Sequence, residues 1–250
     1  MVLRQYLTTE PVVAASYLLG CAGKGVGAVV DPVERTGPYL RDAQALGLEL
    51  RYVIDTHVHA DHRSGARALA DATGAAYVLY AESGAQFDFE PVTEGATLEL
   101  GNVSLRVLHT PGHTPEHISL LGTDRVRGEE PWFVLTGHTL MVGDMGRTEL
   151  AASAGEGARA LFRSASRLRE LPDYVEVLPG AFSGSVCGRG LSGKPVSTIG
   201  FERRFNRAFA LADEEAFVRL MLQEIPPAPP RFAEIRAENL GLPSPALARP

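Results

Sequence analysis

The sequence predicts an α+β protein in which two β-sheets pack face to face and helices cover the outer surfaces. Short apolar runs separated by turn residues occur in two successive sets, and each set is followed by segments with helical spacing of apolar residues. A chain of 250 residues with 45% hydrophobic content is large enough for such a core. Because each sheet must bury its faces, the expected architecture is a four-layer αββα sandwich of two mixed β-sheets.

The first set of elements alternates strands with helices around a polar loop. Turn residues at Gly23 to Gly25 predict a hairpin at its start, and Ser64 is expected to cap the second helix. The predicted elements are, in order, two strands, a helix, a strand, a helix and a parallel strand: Ala14 to Leu19, Gly27 to Val30, Thr36 to Gly47, Leu50 to Ile54, Ala66 to Ala72 and Ala76 to Tyr80.

The second set consists of short strands that turns such as Gly101-Asn102 join into an antiparallel arrangement. Helical spacing returns after these strands, and a short helix is expected near the C-terminus. The predicted elements are four strands, a helix, a strand and a segment of two helices: Ala96 to Leu100, Val103 to Leu108, Ile118 to Leu121, Trp132 to Thr136, Ala158 to Leu171, Tyr174 to Leu178 and Thr198 to Glu224.

Composition narrows the range of partners. A net charge of -6 argues against a nucleic-acid-binding protein, whose binding surface is basic. The chain has no run of eighteen apolar residues, and Met1 to Thr9 lacks the apolar core of a signal peptide, so we expect a soluble cytoplasmic protein without a membrane partner. Cys21 and Cys187 lie far apart and lack metal-type spacing, which makes buried free thiols the default expectation.

The loop from Asp55 to Gly65 has the strongest chemical signal in the sequence. It reads Asp-Thr-His-Val-His-Ala-Asp-His-Arg-Ser-Gly and lies between a predicted strand and a predicted helix. Imidazole suits zinc, iron and copper, and carboxylate suits harder ions, so the mixture indicates a transition-metal site. In extended backbone His57 and His59 point to the same side, whereas Asp61 and His62 lie where the chain turns into the helix.

The remaining histidines also follow predicted strand ends. All seven histidines of the chain lie between His57 and His138. His113 follows a proline-glycine turn, and His138 follows the strand that ends at Thr136, so a sheet can bring both to the first loop. We expect His109 and His117 to support the site without binding the metal.

These motifs resemble the metallo-beta-lactamase superfamily. The resemblance rests on the His-x-His-x-Asp-His loop, the Thr-Pro-Gly-His turn and the Gly-x-Thr-Leu strand end. The runs Asp144 to Thr148 and Cys187 to Pro195 resemble more narrowly the persulfide dioxygenase branch and its glyoxalase II-like relatives. The resemblance covers Leu3 to Asn206. It implies the metallo-beta-lactamase fold, a catalytic domain over residues 1–206 and a C-terminal helical extension over residues 207–250 packed on that domain.

The resemblance also implies a set of ligands. Superfamily hydrolases hold one zinc ion through residues matching His57, His59 and His113, and a second one through residues matching Asp61 and His62, a bridging aspartate and a last histidine. Persulfide dioxygenases hold one iron ion through residues matching His57 and His113 together with the carboxylate at the bridging position.

Two positions depart from both patterns. His138 replaces the bridging carboxylate, and Ala181 stands where the last histidine is expected. Losing both groups disfavours a dinuclear site. We therefore predict one metal ion on a neutral trio of His57, His113 and His138, with His59 nearby as a further ligand. Three ligands on one face leave positions open for substrate and oxygen.

The predicted activity is the oxidation of a glutathione-type persulfide to sulfite with one Fe(II) ion. Asp61 and His62 are the predicted catalytic residues for proton transfer. Arg147 or Arg189 would anchor the substrate carboxylate through a bidentate contact, although a structural role for Arg147 is an alternative. Asp144 and Cys187 are expected to surround the site, and an inert buried thiol is the alternative to a redox-active Cys187.

Two other functions and the oligomeric state stay open at this point. A zinc hydrolase of thioesters such as acylglutathiones would use Asp61 as proton acceptor, with one ion or with a second one on Asp61 and His62. A metal-poor scaffold that binds partners without catalysis is a further alternative. A homodimer is compatible with the sequence.

Overall fold

The computed structural model describes residues 1–149, 153–223, 225, 227–228 and 231–243. Its first sheet has six strands: the first three pair antiparallel, and the third to the sixth pair in parallel. In spatial order these strands are β1 (Val2–Thr8), β2 (Ala14–Cys21), β3 (Val26–Val30), β4 (Glu49–Ile54), β5 (Ala76–Tyr80) and β6 (Glu90–Val92).

The second sheet also has six strands and is antiparallel except for one parallel pair, the fourth and fifth strands of the list below. A two-stranded ribbon of β11 (Leu140–Met141) and β12 (Asp144–Met145) adjoins it. In chain order the strands of the second sheet are β7 (Thr97–Leu100), β8 (Val103–His109), β9 (Ile118–Asp124), β10 (Phe133–Gly137), β13 (Glu176–Pro179) and β14 (Ser197–Thr198).

Helices cover the outer face of each sheet. A first group packs on the first sheet: α1 (Gly37–Ala45) and α2 (Ala66–Thr73). A second group packs on the other sheet: α3 (Ala154–Arg169), α4 (Ile199–Phe205) and α5 (Glu214–Leu222). The last helix, α6 (Phe232–Leu240), lies against the loop that follows β4. The predicted αββα sandwich is therefore confirmed.

The main core lies between the two sheets. Residues that alternate along the strands, among them Tyr17, Leu19 and Ile54 of the first sheet, meet Leu105 and Phe133 of the second, and all five are nearly inaccessible to solvent. Burial of apolar area at about 25 cal/mol per Å² is the dominant stabilising contribution in such a sandwich. The loops after the strands can then differ in sequence without loss of the fold.

The first strand and the start of α2 differ from the elements that the sequence predicted. β1 was not among the predicted elements, because residues Val2–Thr8 form an edge strand whose side chains are half-buried or exposed and give no continuous apolar run. The predicted hydrogen bond from a free amide at the start of α2 to Ser64 is present, although Ser64 lies one residue before the assigned N-cap. Gly65 occupies the N-cap position, while the Ser64 hydroxyl accepts a hydrogen bond from the Ala66 amide at 3.0 Å.

In the C-terminal part of the chain, α5 packs on the second sheet, and α6 contacts the loop after β4 of the first sheet. Phe217 and Met221 of α5 join the cluster that also contains Leu161 of α3. Within the predicted extension, positions 224, 226, 229, 230 and 244–250 lie outside the described residues. The division at residue 206 stays a prediction. None of the helices among the described residues combines the length and the apolarity needed to cross a membrane.

Candidate metal centre

Three histidines from separate loops meet at one edge of the sandwich. His57 follows β4, His113 follows β8, and His138 follows β10. Their ring centroids lie 4.9, 4.7 and 4.9 Å apart, so the rings form a nearly equilateral triangle. One nitrogen of each ring lies within 4.8 Å of the others, and all three residues are buried. We call this set the three-imidazole group.

The tautomer of His57 is fixed by a hydrogen-bond relay. The Thr56 hydroxyl donates to Asp31 Oδ2 at 2.9 Å and so accepts from His57 Nδ1 at 3.0 Å. The backbone amide of Thr56 donates to the other oxygen of Asp31 at 2.7 Å. With its proton on Nδ1, His57 keeps a lone pair on Nε2, and this buried atom has no hydrogen-bond partner among the described residues.

His113 is oriented in the same way by the backbone. Its Nδ1 donates to the carbonyl oxygen of Arg147 at 2.7 Å, which leaves Nε2 as the lone-pair atom. His113 Nε2 lies 3.2 Å from His138 Nδ1. Two nitrogens bound at ~2.1 Å to one tetrahedral ion lie ~3.4 Å apart, so the observed separation suits two ligands of one ion.

Burial keeps the three imidazoles neutral. Desolvation lowers the pKa of His57 well below its usual value, with neighbouring imidazoles adding to the effect. Desolvation also lowers the pKa of His113 to about 3 and that of His138 to about 4. Metal ligation requires neutral imidazole. The donor set, the tautomers and the orphaned Nε2 of His57 therefore fit a divalent transition-metal ion.

His117 supports the backbone of His138. The amide of His138 donates to His117 Nε2 at 3.0 Å, and the opposite ring nitrogen lies 3.0 Å from the Thr139 hydroxyl. Gly137 lets the two segments come this close, because a Cβ at this position would lie 2.6 Å from His117 Nε2. These contacts are consistent with the predicted supporting role.

The His59 ring lies 4.3 Å from the His57 ring, but its Nε2 approaches carboxylates. Its Nε2 lies 3.4 Å from Asp31 Oδ1 and 3.8 Å from Asp55 Oδ1. Burial alone lowers the pKa of His59, but Asp31, Asp55 and Asp61 outweigh it and raise the pKa to about 9. We call His59, Asp31 and Asp55 the acidic group. The predicted role of His59 as a ligand stays a prediction, and these surroundings favour a protonated side chain.

Asp61 and His62 form a pair at the base of a cleft. Asp61 Oδ1 lies 2.9 Å from His62 Nδ1. Burial raises the pKa of the Asp61 carboxyl, but the charge of His62 and its hydrogen bond lower it well below the usual value. Together with His59 these residues form a further group with ligand atoms within 4.8 Å of one another. Their position allows the predicted proton transfer, which stays a prediction.

His109 lies away from the other histidines. Its ring stacks on Tyr80 with centroids 4.2 Å apart, and its Nε2 lies 2.8 Å from the Pro115 carbonyl oxygen. No group of candidate metal ligands among the described residues includes it. These contacts give His109 a structural role at the end of β8.

The two predicted substrate anchors are engaged within the protein. Arg147 is buried, pairs with Glu149 and donates to the carbonyl oxygens of Val186 and Pro227 at 3.1 Å. Arg189 pairs with Asp144 at 2.8 Å and donates to the Leu220 carbonyl oxygen at 2.9 Å. Asp144 thus holds Arg189 and not a histidine. These contacts favour structural roles for both arginines and for Asp144, and substrate binding by either arginine stays a prediction.

Cys187 and Ala181 lie on the loop after β13. Ala181 is fully buried and offers only a methyl group at the position of the expected histidine. The Cys187 sulfur donates to Asp61 Oδ2 at 3.7 Å. Burial raises the pKa of the Cys187 thiol well above its usual value, and the Asp61 charge adds to the effect. The thiol contacts an expected catalytic residue directly.

Residues of α6 that the sequence did not single out hold the loop of His57 and His62. The Asn239 side chain donates to the carbonyl oxygens of His59 and His62 at 2.9 and 2.8 Å. It also accepts from the Ser64 amide at 3.0 Å. The asparagine stands near the C-terminal end of a short helix, and nothing in its local sequence indicates these distant partners.

The cleft above Asp61 has a volume of about 1030 Å³ and lies between the β1–β2 turn, the segment before α1 and the start of α6. Arg63 and Arg231 on its wall pair with Glu238 and Glu234. Arg35 on the same wall is exposed and has no hydrogen-bond or ion-pair partner among the described residues. It is an available cation beside the site, and the sequence analysis had not named it.

The family model of the metallo-beta-lactamase superfamily matches residues 9–180 of this chain. This match covers most of the chain and includes all three loops of the three-imidazole group. The chain belongs to the metallo-beta-lactamase superfamily. The resemblance that the motifs predicted is thereby confirmed.

The relatives of this chain include two kinds of enzyme. The chain is 32% identical over 227 residues to the mitochondrial persulfide dioxygenase ETHE1 of Homo sapiens, which covers 88% of this chain and 80% of that protein. It is 31% identical over 234 residues to a hydroxyacylglutathione hydrolase of Methylococcus capsulatus, covering 91% and 86%. The crystal structure of ETHE1 from Myxococcus xanthus matches with a TM-score of 0.82 at 31% identity, over 96% of this chain and 99% of that one.

Proposed function

We propose that the protein is a mononuclear, iron-dependent persulfide dioxygenase that acts on a glutathione-type persulfide. The observation that supports this most is the three-imidazole group, whose rings are buried and neutral, with the tautomers of His57 and His113 set by hydrogen bonds. Such a set leaves coordination positions open on one side of an ion. Similarity to persulfide dioxygenases over most of the chain supports the same reaction.

His57, His113 and His138 would hold the ion. Fe(II), when bound there, supplies the redox chemistry that adds oxygen to the terminal sulfur. The overall reaction converts the persulfide, O2 and water into the thiol, sulfite and two protons. Asp61 and His62 line the cleft, and in this proposal the Asp61 carboxylate, hydrogen-bonded to His62 Nδ1, takes the proton of the terminal sulfur.

Arg35 is the group that we propose to anchor a carboxylate of the substrate. Arginine binds carboxylates in a bidentate way, and this side chain is free of internal partners among the described residues. The volume of the cleft exceeds that of a typical small-molecule site, which leaves room for a tripeptide-sized thiol. We expect Arg35→Ala to raise KM about tenfold with little change in kcat, since the lost contact is remote from the reacting sulfur. Arg163→Ala, at an exposed arginine that does not line the cleft, serves as the control.

Oxygen uptake tests the proposed reaction. Iron-loaded protein should consume O2 on addition of glutathione persulfide and release sulfite in a one-to-one ratio to the O2 consumed. Iron-loaded protein that consumes no O2 with this substrate contradicts the proposal.

A zinc-dependent thioester hydrolase is the second candidate. The pair of Asp61 and His62 favours it, because these two side chains would hold a second ion beside the first. The similarity to hydroxyacylglutathione hydrolases points the same way. This reading requires thioester cleavage by the zinc-loaded protein that disappears in Asp61→Ala. Protein that retains neither iron nor zinc after purification without chelator would support the binding scaffold instead.

A further inference from the structure

A second set of buried donors shares His138 with the three-imidazole group. It consists of Asp61, His138 and Cys187, whose ligand atoms all lie within 4.8 Å of one another. We call it the thiol group. It combines a carboxylate, an imidazole and a sulfur, whereas the three-imidazole group offers nitrogen alone. The loop that carries Ala181 also carries Cys187, whose sulfur lies beside Asp61.

The backbone holds Cys187 in this position. The Arg147 amide donates to the Cys187 carbonyl oxygen at 3.1 Å, and the Cys187 amide donates to the Ser185 hydroxyl at 3.2 Å. The carbonyl of the same Arg147 accepts the proton of His113 Nδ1. One peptide segment therefore contacts a donor residue of each group.

The surroundings of the second cysteine are different. Cys21 lies in the core between the sheets, among apolar side chains such as Leu19 and Leu100. An inert buried thiol behaves as a small apolar side chain, and Cys21 has that environment. Cys187 instead directs its sulfur toward a carboxylate oxygen. A cation between the two would replace that contact with two ligand bonds.

We propose that Asp61, His138 and Cys187 form a binding site for a thiophilic divalent ion such as zinc, in which Cys187 is a thiolate ligand. Binding breaks the S–H bond, forms a metal–sulfur bond and releases one proton to solvent. Thiolate ligands select zinc over harder ions. Because His138 belongs to both groups, only one of them has its complete ligand set at a time. The proposal goes beyond the dioxygenase function and does not depend on it.

Cobalt(II) reports on this site directly, since a thiolate ligand gives an intense near-ultraviolet charge-transfer absorption that imidazole and carboxylate do not give. Metal-free full-length protein should develop this absorption on titration with Co(II). Cys187→Ser should lose it, while Cys21→Ser should retain it at wild-type intensity. Absence of the band from the wild-type protein, or its persistence in Cys187→Ser, overturns the proposal.

A second measurement does not depend on a variant. X-ray absorption at the zinc edge of the zinc-loaded wild-type protein should show a sulfur neighbour at about 2.3 Å. A first shell of nitrogen and oxygen alone contradicts the thiolate ligand. Neither experiment measures dioxygenase activity, so failure of persulfide-dependent oxygen uptake with a positive cobalt band would reject the proposed function alone.

Discussion

His57 and His59 lie two positions apart on one loop, yet their surroundings shift their pKa values in opposite directions. His57 faces imidazoles and has a lowered pKa, whereas His59 faces carboxylates and has a pKa raised to about 9. Asp31 takes part in both environments, because it fixes His57 through Thr56 and pairs with His59. We infer that the neighbours supplied by other loops, and not the spacing of the motif, decide which histidine is available to a metal.

The largest effect is expected at His57. Replacing it with alanine removes one of the three ligands of the three-imidazole group and leaves the thiol group intact. We expect His57→Ala to lower the affinity for Fe(II) by more than about 100-fold, since even residues that only orient ligands are worth about 10 to 100-fold. Metal titration by calorimetry measures this. His109→Ala is the matched control, and an equal loss in the two variants would contradict the assignment.

The next effect is expected at Asp31. In Asp31→Asn the protonated His59 loses a buried anionic partner, and Thr56 loses one of the two oxygens that accept from it. Breaking a buried ion pair from one side costs about 3 kcal/mol, which urea unfolding of the metal-free protein measures. Asp42→Asn removes a partly exposed pair with Arg4 and should cost less than about 1 kcal/mol. Similar losses in both variants would show that the acidic group is not an ion pair.

Much of this comparison was predictable from the sequence, and the reasons are local. The strand-end positions of His57, His113 and His138 predicted that they converge, and the loops meet as expected. The apolar runs predicted the two sheets for the same reason, because alternation along a strand reflects burial directly.

The partners of those histidines were not predictable, because they come from distant parts of the chain. Asp31 follows β3, and Asn239 lies on α6, so only the folded chain brings them to the loop of His57. The free guanidinium of Arg35 and the engaged ones of Arg147 and Arg189 likewise differ in contacts and not in local pattern.

A smaller effect is expected at Asn239, whose side chain holds the backbone of the loop that carries His59 and His62. Asn239→Ala removes hydrogen bonds to His59 and His62 carbonyl oxygens and should weaken metal binding about tenfold. Glu238→Gln on the same helix breaks only the exposed pair with Arg63 and should bind metal like the wild type. Metal affinity and melting temperature are measured for both variants. A loss of affinity without a fall in melting temperature supports a positioning role, whereas a fall in both indicates that α6 has become less stable.

The smallest effect on metal content is expected at His59. If its neighbours keep it protonated, His59→Gln should retain metal within about twofold of the wild type, although the free energy of unfolding falls as for Asp31→Asn. Elemental analysis measures the metal content. Loss of the metal in His59→Gln would make His59 a ligand, as the motif alone predicts.

The central claim is that His138 is a metal ligand in place of the usual carboxylate. Elemental analysis of protein purified without chelator tests it most directly, with wild type and His138→Ala prepared side by side and their folding compared by circular dichroism. We predict about one transition-metal ion per wild-type chain and a content reduced at least about tenfold in folded His138→Ala. Equal metal content in the two proteins would contradict the claim.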